Sequence, residues 1–576
     1  MKKIRADKRT RRRTKKLWLI KLALNIAGRK MLKELNKASK DSKKAQHKIL
    51  MDILDYAKDT EYGKKHGFRD IKTVEDFRKN VPVNNYEDLR PYIMRHTRGE
   101  ENLLFPGKPI MYATTSGTTK EPKWIPITEK YYKESYNGLT RLWFYSVLKE
   151  IPDIFDGPEL SIVGRDIEGY TEDGTAYGSF SGHVHKNIPE FLKNVHVVPA
   201  EIHNIEDYYS RYYCLLRFTI EYHIRFIITG NPSTLIEMQK VVDKRIDELI
   251  EDIEKGTLSR NLKLPSMTRE LLEKSLSPNP RRAESLRLLR AEHIRLLPKH
   301  YWPTLSLINT WKCGNSGLYL KHLDGFYPED TKIREFSYMA TEARAGIILK
   351  NDKMASILAA HLLYYEFIRL EDREKENPRI YSVSELEEGG YYYLIVTTSG
   401  GLYRYDINDI LRVDGFYNDF PELRFIQKGV GITNLTGEKL HERQLLLAVK
   451  QTESELKIKN RFYICFADID VSGYRLFAEF DEKIMDNDLK KYCFSVDEKL
   501  KKMNIEYKSK RESHRIKPLV LHRLLRDSFE KFKLECMKRG SRDGQFKLVH
   551  LIQNDLRMEM FKKLSYEGEI SFGEDW

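Results

Sequence analysis

Residues 112–128 read YATTSGTTKEPKWIPIT, six small hydroxyls around Gly117 with Lys120 and Lys123 close behind. Helix formers are scarce, so the stretch predicts a loop with free backbone N–H groups. Such a loop suits a polyphosphate, whose oxygens need several donors at once and a backbone they can approach. It is not a Walker A loop, because the second glycine and the Gly-Lys-Ser/Thr ending are absent. Two further segments place carboxylates just past predicted strands. SYMATEARAGI carries Glu342 after Thr341, and GLYRYDINDILRVDGF carries Asp409 five residues after Arg404. A carboxylate in the first position suits Mg2+ held against phosphate. One in the second suits the hydroxyls of a nucleotide ribose. Taken singly, each is more often a cap or a surface charge.

The elements that must position these groups follow from periodicity. Residues 15–60 show apolar positions at three- and four-residue spacing and predict helix. PIMYAT predicts a strand running into the hydroxyl loop, and YKESYNGLTRLWFYSVLKEI a long amphipathic helix after it. NPSTLIEMQKVVDKRIDELIEDIEKG has a helix start in NPST and a stop at Gly256. SLINTWKCGNSG and IREFSYMATEARAGI read as short strands, and GGYYYLIVTTSGGLYRYDINDILRVDGFYN alternates like a hairpin. Strands alternating with helices over this length indicate an α/β body. Beyond about residue 430, RFYICFADIDVSGYRLFAEFD reads as two strands around a turn, and DLKKYCFSVDEKLKKMN and LLRDSFEKFKLECMKRG as charged amphipathic helices. That pattern predicts a smaller α+β domain.

With 576 residues, 41% of them apolar and 11% aromatic, the chain has ample material for a core. Its net charge of +15 invites a nucleic-acid reading, but the first 50 residues alone sum to +16, with 19 Lys/Arg against 3 Asp/Glu. The body is therefore close to neutral. The head reads as an amphipathic first helix with a solvated basic tip, suited to weak peripheral contact with an anionic membrane through residues 1–30. Its apolar stretch is interrupted by Lys21 and Asn25 and is too short to span a bilayer. The five cysteines show no CxxC spacing, which suggests a reducing cytoplasm and no structural zinc.

In their order along the chain, TSGTTKEPK, YMATE and YRYDIND resemble the phosphate loop, the Tyr-x-x-Ser/Thr-Glu segment and the Tyr-Arg-x-Gly-Asp segment of the adenylate-forming superfamily. The closer resemblance is to the acyl-acid amido synthetases, which conjugate plant hormone acids to amino acids, and to their microbial members. It extends through AKDTEYGKKHGF, VPVNNYEDLRPYI, SPNPRRAESL, VTTSGGLYRYDINDILRVDGF, NLTGEKLHERQL and GSRDGQFK, over nearly the whole chain.

The fold this resemblance implies is α/β, a large multi-subdomain N-terminal body with β-sheets and helices plus a smaller α+β C-terminal domain. The expected boundaries are residues 1–50 for the basic segment and first helix within the large domain, 51–430 for the ATP and acyl-substrate domain, and 431–576 for the small domain. The implied activity is ATP-dependent activation of a carboxylic acid as acyl-AMP, with release of pyrophosphate and transfer of the acyl group to an amine, an amino acid in this family. Mg2+ would accompany ATP. Thr115, Ser116, Gly117, Thr118, Thr119 and Lys123 would embrace the phosphates. Tyr338 and Thr341 would line the adenine and α-phosphate region, with Tyr403 among the nucleotide-binding residues. Asp409 would bind ribose and Glu342 would meet the metal. Lys428 stands near the hinge where the family usually has arginine, and Lys547 would reach the carboxylate and α-phosphate. Lys120, Asn408 and Lys428 depart from the family's Gly, Gly and Arg, yet none removes a charge the chemistry needs.

Two other readings compete. One is transfer to a thiol of the coenzyme A type. The other is a nucleotide-binding scaffold without turnover, attached to membrane or nucleic acid through the head. SGHVH sets His183 and His185 on one face of a possible strand. Two histidines without a third ligand are a weak metal signal, and a structural or substrate-lining role is expected of them.

Overall fold

The computed structural model describes residues 17–115, 123–187, 195–373, 375–429, 431–480, 484–528, 531–532, 550–553 and 557–572. The chain divides into two units, one of Met1–Thr114 and Trp124–Gln427, the other of Thr115–Lys123 and Lys428–Trp576.

The first unit begins with helices Leu17–Ala38 and Ser42–Ala57, where the three- and four-residue spacing predicted them. The Asp41 carboxylate caps the second by accepting from the Lys44 amide at 2.9 Å. A parallel sheet follows, with Glu159–Ile162, Phe226–Thr229, Leu307–Thr310 and Lys332–Glu335 side by side. Parallel neighbours need crossovers, and helices Tyr208–Thr219 and Ser233–Lys255 lie in the intervening chain. The second of these stops at Gly256, whose φ of +71° continues no helix. A Cβ there would lie 2.5 Å from the Pro278 nitrogen, so only glycine fits.

A seven-stranded sheet carries Tyr391–Thr397 against Tyr405–Tyr417, the hairpin read from alternation. A small sheet pairs Met111–Thr115 and Lys123–Ile127 with Ala176–Gly178. Both larger sheets are buried by apolar cores, and the first of these cores also takes in the first helices.

In the second unit, Asn460–Asp468 and Gly473–Phe480 pair antiparallel around the expected turn, flanked in parallel by Leu551–Gln553 and Val520–Arg523. Helices Glu442–Leu456, Asp486–Met503 and Ile505–Glu512 supply the helical share of this α+β unit. Most of the predicted helix at LLRDSFEKFKLECMKRG lies outside the described residues.

Two local expectations need correction. The long helix after the phosphate loop starts with a π-helical turn, Tyr132–Tyr136, before Asn137–Glu150. SGHVH is not a strand but part of helix Phe180–Lys186. Five residues cannot separate a period of 2 from one of 3.6. Gly182 is the packing clue, since a Cβ there would lie 2.4 Å from the Gly164 carbonyl oxygen. Among the described residues no helix is long and apolar enough to cross a membrane.

Candidate active site

Each predicted segment is fixed by specific local bonds. Strand Met111–Thr115 buries Met111, Tyr112 and Ala113. The Ile110 amide donates to the Ile127 carbonyl at 2.8 Å, joining the strands on either side of the hydroxyl-rich stretch. The Trp124 amide donates to the Tyr86 hydroxyl at 2.8 Å. Ser116, Gly117, Thr118 and Thr119 lie outside the described residues, as does the side chain of Thr115.

The segment bearing Tyr338 and Glu342 leaves strand Lys332–Glu335 through Ser337, whose φ is +80°. The Ser356 hydroxyl accepts the Tyr338 amide at 2.8 Å, and the Tyr338 carbonyl accepts the amides of Ala345 and Gly346. A bridge between Met339 and Arg344 closes the loop. This loop presents Thr341, half-buried, and Glu342, 6% exposed. Behind it the Arg344 amide donates to the Tyr131 hydroxyl at 2.9 Å, and the Arg344 guanidinium lies 4.9 Å over the Tyr136 ring.

Asp409 reaches the same region by a bulge. Across the hairpin, Tyr393 faces Ile410 while Ile395 faces Asp406, so three residues of one strand stand against one of the other. Asn408 absorbs the bend with φ +59°, and its amide donates to the Asp406 carboxylate at 2.8 Å. A bulge re-aims a side chain out of the sheet's alternation. Here it sets Asp409, 3% exposed, against the Tyr338 hydroxyl, which donates to the carboxylate at 2.8 Å. Burial and the adjoining Asp409 and Glu342 carboxylates push the Tyr338 phenol well above its usual range, so it stays protonated and keeps donating. Glu342 also contributes to the raised phenols of Tyr131 and Tyr405. The segments around 338–342 and 405–409, distant in sequence, thus form one carboxylate-rich surface.

Other residues of the YRYDIND stretch belong to the scaffold. Arg404, with φ +43°, is buried and pairs with Glu366 at 2.7 Å, while its guanidinium also donates to the Val81 carbonyl at 2.7 Å. Tyr403 is buried, stacked on Tyr62 at 5.0 Å. Asn84, from VPVNN, donates to the Tyr403 carbonyl at 2.7 Å, and its own carbonyl accepts the Asp406 amide at 2.9 Å. These contacts set the start of the Asp409 bulge.

In the second unit Lys428 is buried at the end of strand Phe420–Lys428. His441 senses it. Burial and the ammonium groups of Lys123, Lys428 and Lys439 hold this imidazole down at about 3. Three lysines around a neutral ring concentrate positive charge where anionic groups would be favoured. Lys439 and His441 carry no expectation from the sequence, although GEKLHERQL held both. Lys547 lies outside the described residues.

Among solved structures, one described as "AtGH3.15 acyl acid amido synthetase in complex with 2,4-DB" superposes with a TM-score of 0.65 at 23% identity, covering 94% of this chain and 97% of that one. The chain shares the fold of that synthetase. Three family models match in order, the GH3 family N-terminal domain at residues 31–333, the central domain at 356–428 and the C-terminal domain at 443–555. The chain belongs to the GH3 family of acyl acid amido synthetases, acid–amino acid ligases that act through adenylation. Jasmonoyl–L-amino acid synthetase JAR4 of Nicotiana attenuata is 26% identical over 539 residues, 90% of this chain and 92% of its own. Probable indole-3-acetic acid-amido synthetase GH3.11 of Oryza sativa subsp. japonica is 27% identical over 579 residues, 93% and 96% respectively. The 4-substituted benzoates-glutamate ligase GH3.12 of Arabidopsis thaliana is 23% identical over 562 residues, 92% and 96%.

Proposed function

We propose that this chain joins a small, largely apolar carboxylic acid to an amino acid, with ATP bound at the Tyr338–Asp409 surface and Mg2+ beside Glu342, in a reducing cytoplasm. The observation that carries the reading is the Tyr338–Asp409 hydrogen bond, which the Asn408 bulge makes possible. Relatives named for jasmonate, indole-3-acetate and benzoate ligation support the acid class. So do the rings of Tyr132, Tyr136 and Phe180, which pack together beside Arg344. Cys214, Cys313, Cys465 and Cys493 are all free thiols, which suits a reducing compartment.

The donor set fits the groups assigned to it. Asp409 offers a fixed acceptor to two vicinal hydroxyls, because Tyr338 occupies one of its oxygens and orients the carboxylate. Glu342 offers the hard oxygen ligand that Mg2+ takes. When bound, the cation would neutralise phosphate charge. The remaining work falls to the chain. A carboxylate is a poor electrophile, since its leaving group would be oxide. Its attack on the α-phosphate expels pyrophosphate and turns AMP into a good leaving group for the amine. Two anions must approach each other for that; Lys123, Lys428 and Lys547 are the cations that would offset the repulsion, and Thr115 to Thr119 the donors that would meet phosphate oxygens. Thr341 lines the nucleotide. Tyr403 acts through the scaffold, by fixing where the bulge begins.

A screen of carboxylic acids for acid-dependent pyrophosphate release, followed by labelled amino acids and labelled thiols on each hit, tests this reading. Amide products support it. Release that depends on no acid, or thioester as the only product, overturns it.

A further inference from the structure

Away from the nucleotide surface, four titratable side chains that the proposed chemistry does not use meet inside the first unit. Glu159 opens strand Glu159–Ile162 and is buried. His196 forms a β-bridge with it and its Nδ1 is ion-paired to the Glu159 carboxylate. His185 comes from helix Phe180–Lys186, and its ring centroid lies 5.1 Å from that of His196 at an interplanar angle of 81°. His203, in the turn Ala200–Asn204, lies 5.0 Å from the His185 ring at 77°. One ligand atom from each of Glu159, His185 and His196 falls within 4.8 Å of the other two. His203 is 3% exposed, and neither of its ring nitrogens has a hydrogen-bond partner.

Buried imidazole nitrogens normally find a partner. Here one ring has none, and it faces the His185 imidazole, which itself faces His196. A hydrogen-bonded core would alternate donors with acceptors. Beyond the His196–Glu159 pair and the Ser161 contact, this cluster sets an unpartnered ring from the turn Ala200–Asn204 against an imidazole of helix Phe180–Lys186. The near-perpendicular rings allow in-plane lone pairs to converge on one point. The Ser161 hydroxyl donates to Glu159 at 2.7 Å, the kind of contact that orients a ligating carboxylate.

We infer that Glu159, His185 and His196 form a Zn2+ site, with His203 completing the tetrahedron. Imidazole with carboxylate suits Zn2+ and not Mg2+ or Ca2+, which take oxygen ligands and hold few imidazoles. Ligand atoms around tetrahedral Zn2+ stand about 3.3 Å apart, given bonds of about 2.0–2.1 Å. His183 takes no part. Its ring faces Tyr132 at 6.2 Å and its Nε2 lies 3.2 Å from the Asn187 amide nitrogen. The sequence set His183 and His185 on one face and expected a structural or substrate-lining role of both; His185 instead meets residues that no local spacing connects. The ligand set contains no cysteine, so cysteine spacing said nothing about it.

The site would staple strand Glu159–Ile162, helix Phe180–Lys186 and turn Ala200–Asn204. On the same helix, Phe180 packs on Tyr136 at 4.7 Å, and Tyr136 lies under Arg344, two residues past Glu342. Bound zinc would therefore hold the aromatic wall behind the Glu342 loop.

The test uses the full chain, untagged and stripped with chelator, then titrated with ZnCl2 and separately with CoCl2. We expect one Zn2+ per chain by calorimetry and by metal analysis after dialysis, a tetrahedral Co2+ absorption spectrum, and a rise in thermal midpoint on zinc addition. His185→Ala and His196→Ala should abolish stoichiometric binding, His203→Phe should weaken it, and Ser161→Ala should weaken it about 10–100-fold. His183→Ala should bind as wild type, and far-UV circular dichroism checks that each variant is folded. Failure of the wild-type chain to take up one equivalent overturns the assignment. So does unchanged binding by folded His185→Ala and His196→Ala, which would leave Glu159 and His196 as an ordinary buried ion pair.

Discussion

Replacing Tyr338 with phenylalanine isolates the hydrogen bond on which the nucleotide assignment rests. The substitution keeps the ring against Phe425, whose centroid lies 6.3 Å away in a stacked arrangement, and removes only the hydroxyl. Asp409 then loses a 2.8 Å donor in a place 3% exposed. Hydrogen bonds to charged groups contribute about 1.5–3 kcal/mol. If half of that reaches the ribose interaction through the carboxylate's orientation, ATP affinity falls about 5- to 10-fold. Asp409→Ala removes the acceptor itself and should cost about 10- to 100-fold. Tyr338 acts through Asp409, so the effects must not add. In the double variant, Tyr338→Phe should cost nothing further, a coupling of about 1 kcal/mol or more. Calorimetric titration with a non-hydrolysable ATP analogue measures all four corners of the cycle, with circular dichroism to confirm folding. Additive losses, or an Asp409→Ala variant that binds as wild type, would refute the reasoning.

Other outcomes follow from the same structure. Arg404→Ala leaves Glu366 buried with one of its two arginine partners gone and should cost about 3–5 kcal/mol, read as a drop in denaturation midpoint. The buried His96, held at about 4 chiefly by burial, stays neutral when folded, so the unfolded chain binds more protons as pH falls from about 6.5 to about 4. Its contribution is present in full above about 6.5 and lost across that window, and His96→Gln should flatten the stability slope there by about 1.4 kcal/mol per pH unit at most, measured by urea unfolding. Lys547→Ala should leave ATP affinity within a few-fold and slow single-turnover adenylation about 10²–10³-fold. Deleting residues 1–14 should leave adenylation unchanged while any binding to anionic vesicles weakens and becomes less salt-sensitive, a comparison made by sedimentation at two salt concentrations.

Much of the scaffold was legible because it follows from short-range chemistry. The NPST start and Gly256 stop, the alternating residues of 391–417 and the turn at 469–472 each declare their element locally. Glu342 was legible as a carboxylate past a strand, whereas Asp409, expected in the same position, lies within strand Tyr405–Tyr417, and Asn408 hinted at its positive φ through its type. The bulge that lifts Asp409 toward Tyr338 was not, since it appears only as a register difference between two strands. Arg404 served in the sequence only to locate Asp409, and its part as a buried partner of Glu366 stayed hidden because that carboxylate comes from another strand. His441 was hidden for the same reason. Two of the lysines that surround it, Lys123 and Lys428, come from distant segments. The Glu159 cluster shows the limit most plainly, with four residues from a strand, a helix, a bridge and a turn converging in space.

The most direct test of the account is the fate of oxygen from the acid. An accepted carboxylic acid labelled with 18O at both carboxylate oxygens is turned over with ATP and the accepted amino acid, and AMP and amide are analysed by mass spectrometry. Attack of the carboxylate on the α-phosphate, with the nucleotide held at the Tyr338–Asp409 surface, predicts one 18O in AMP, one in the amide and none in pyrophosphate. Asp409→Ala should lower the rate and leave that distribution intact. Label recovered in inorganic phosphate with ADP as the nucleotide product, or AMP free of label, would contradict adenylation as the route this chain takes.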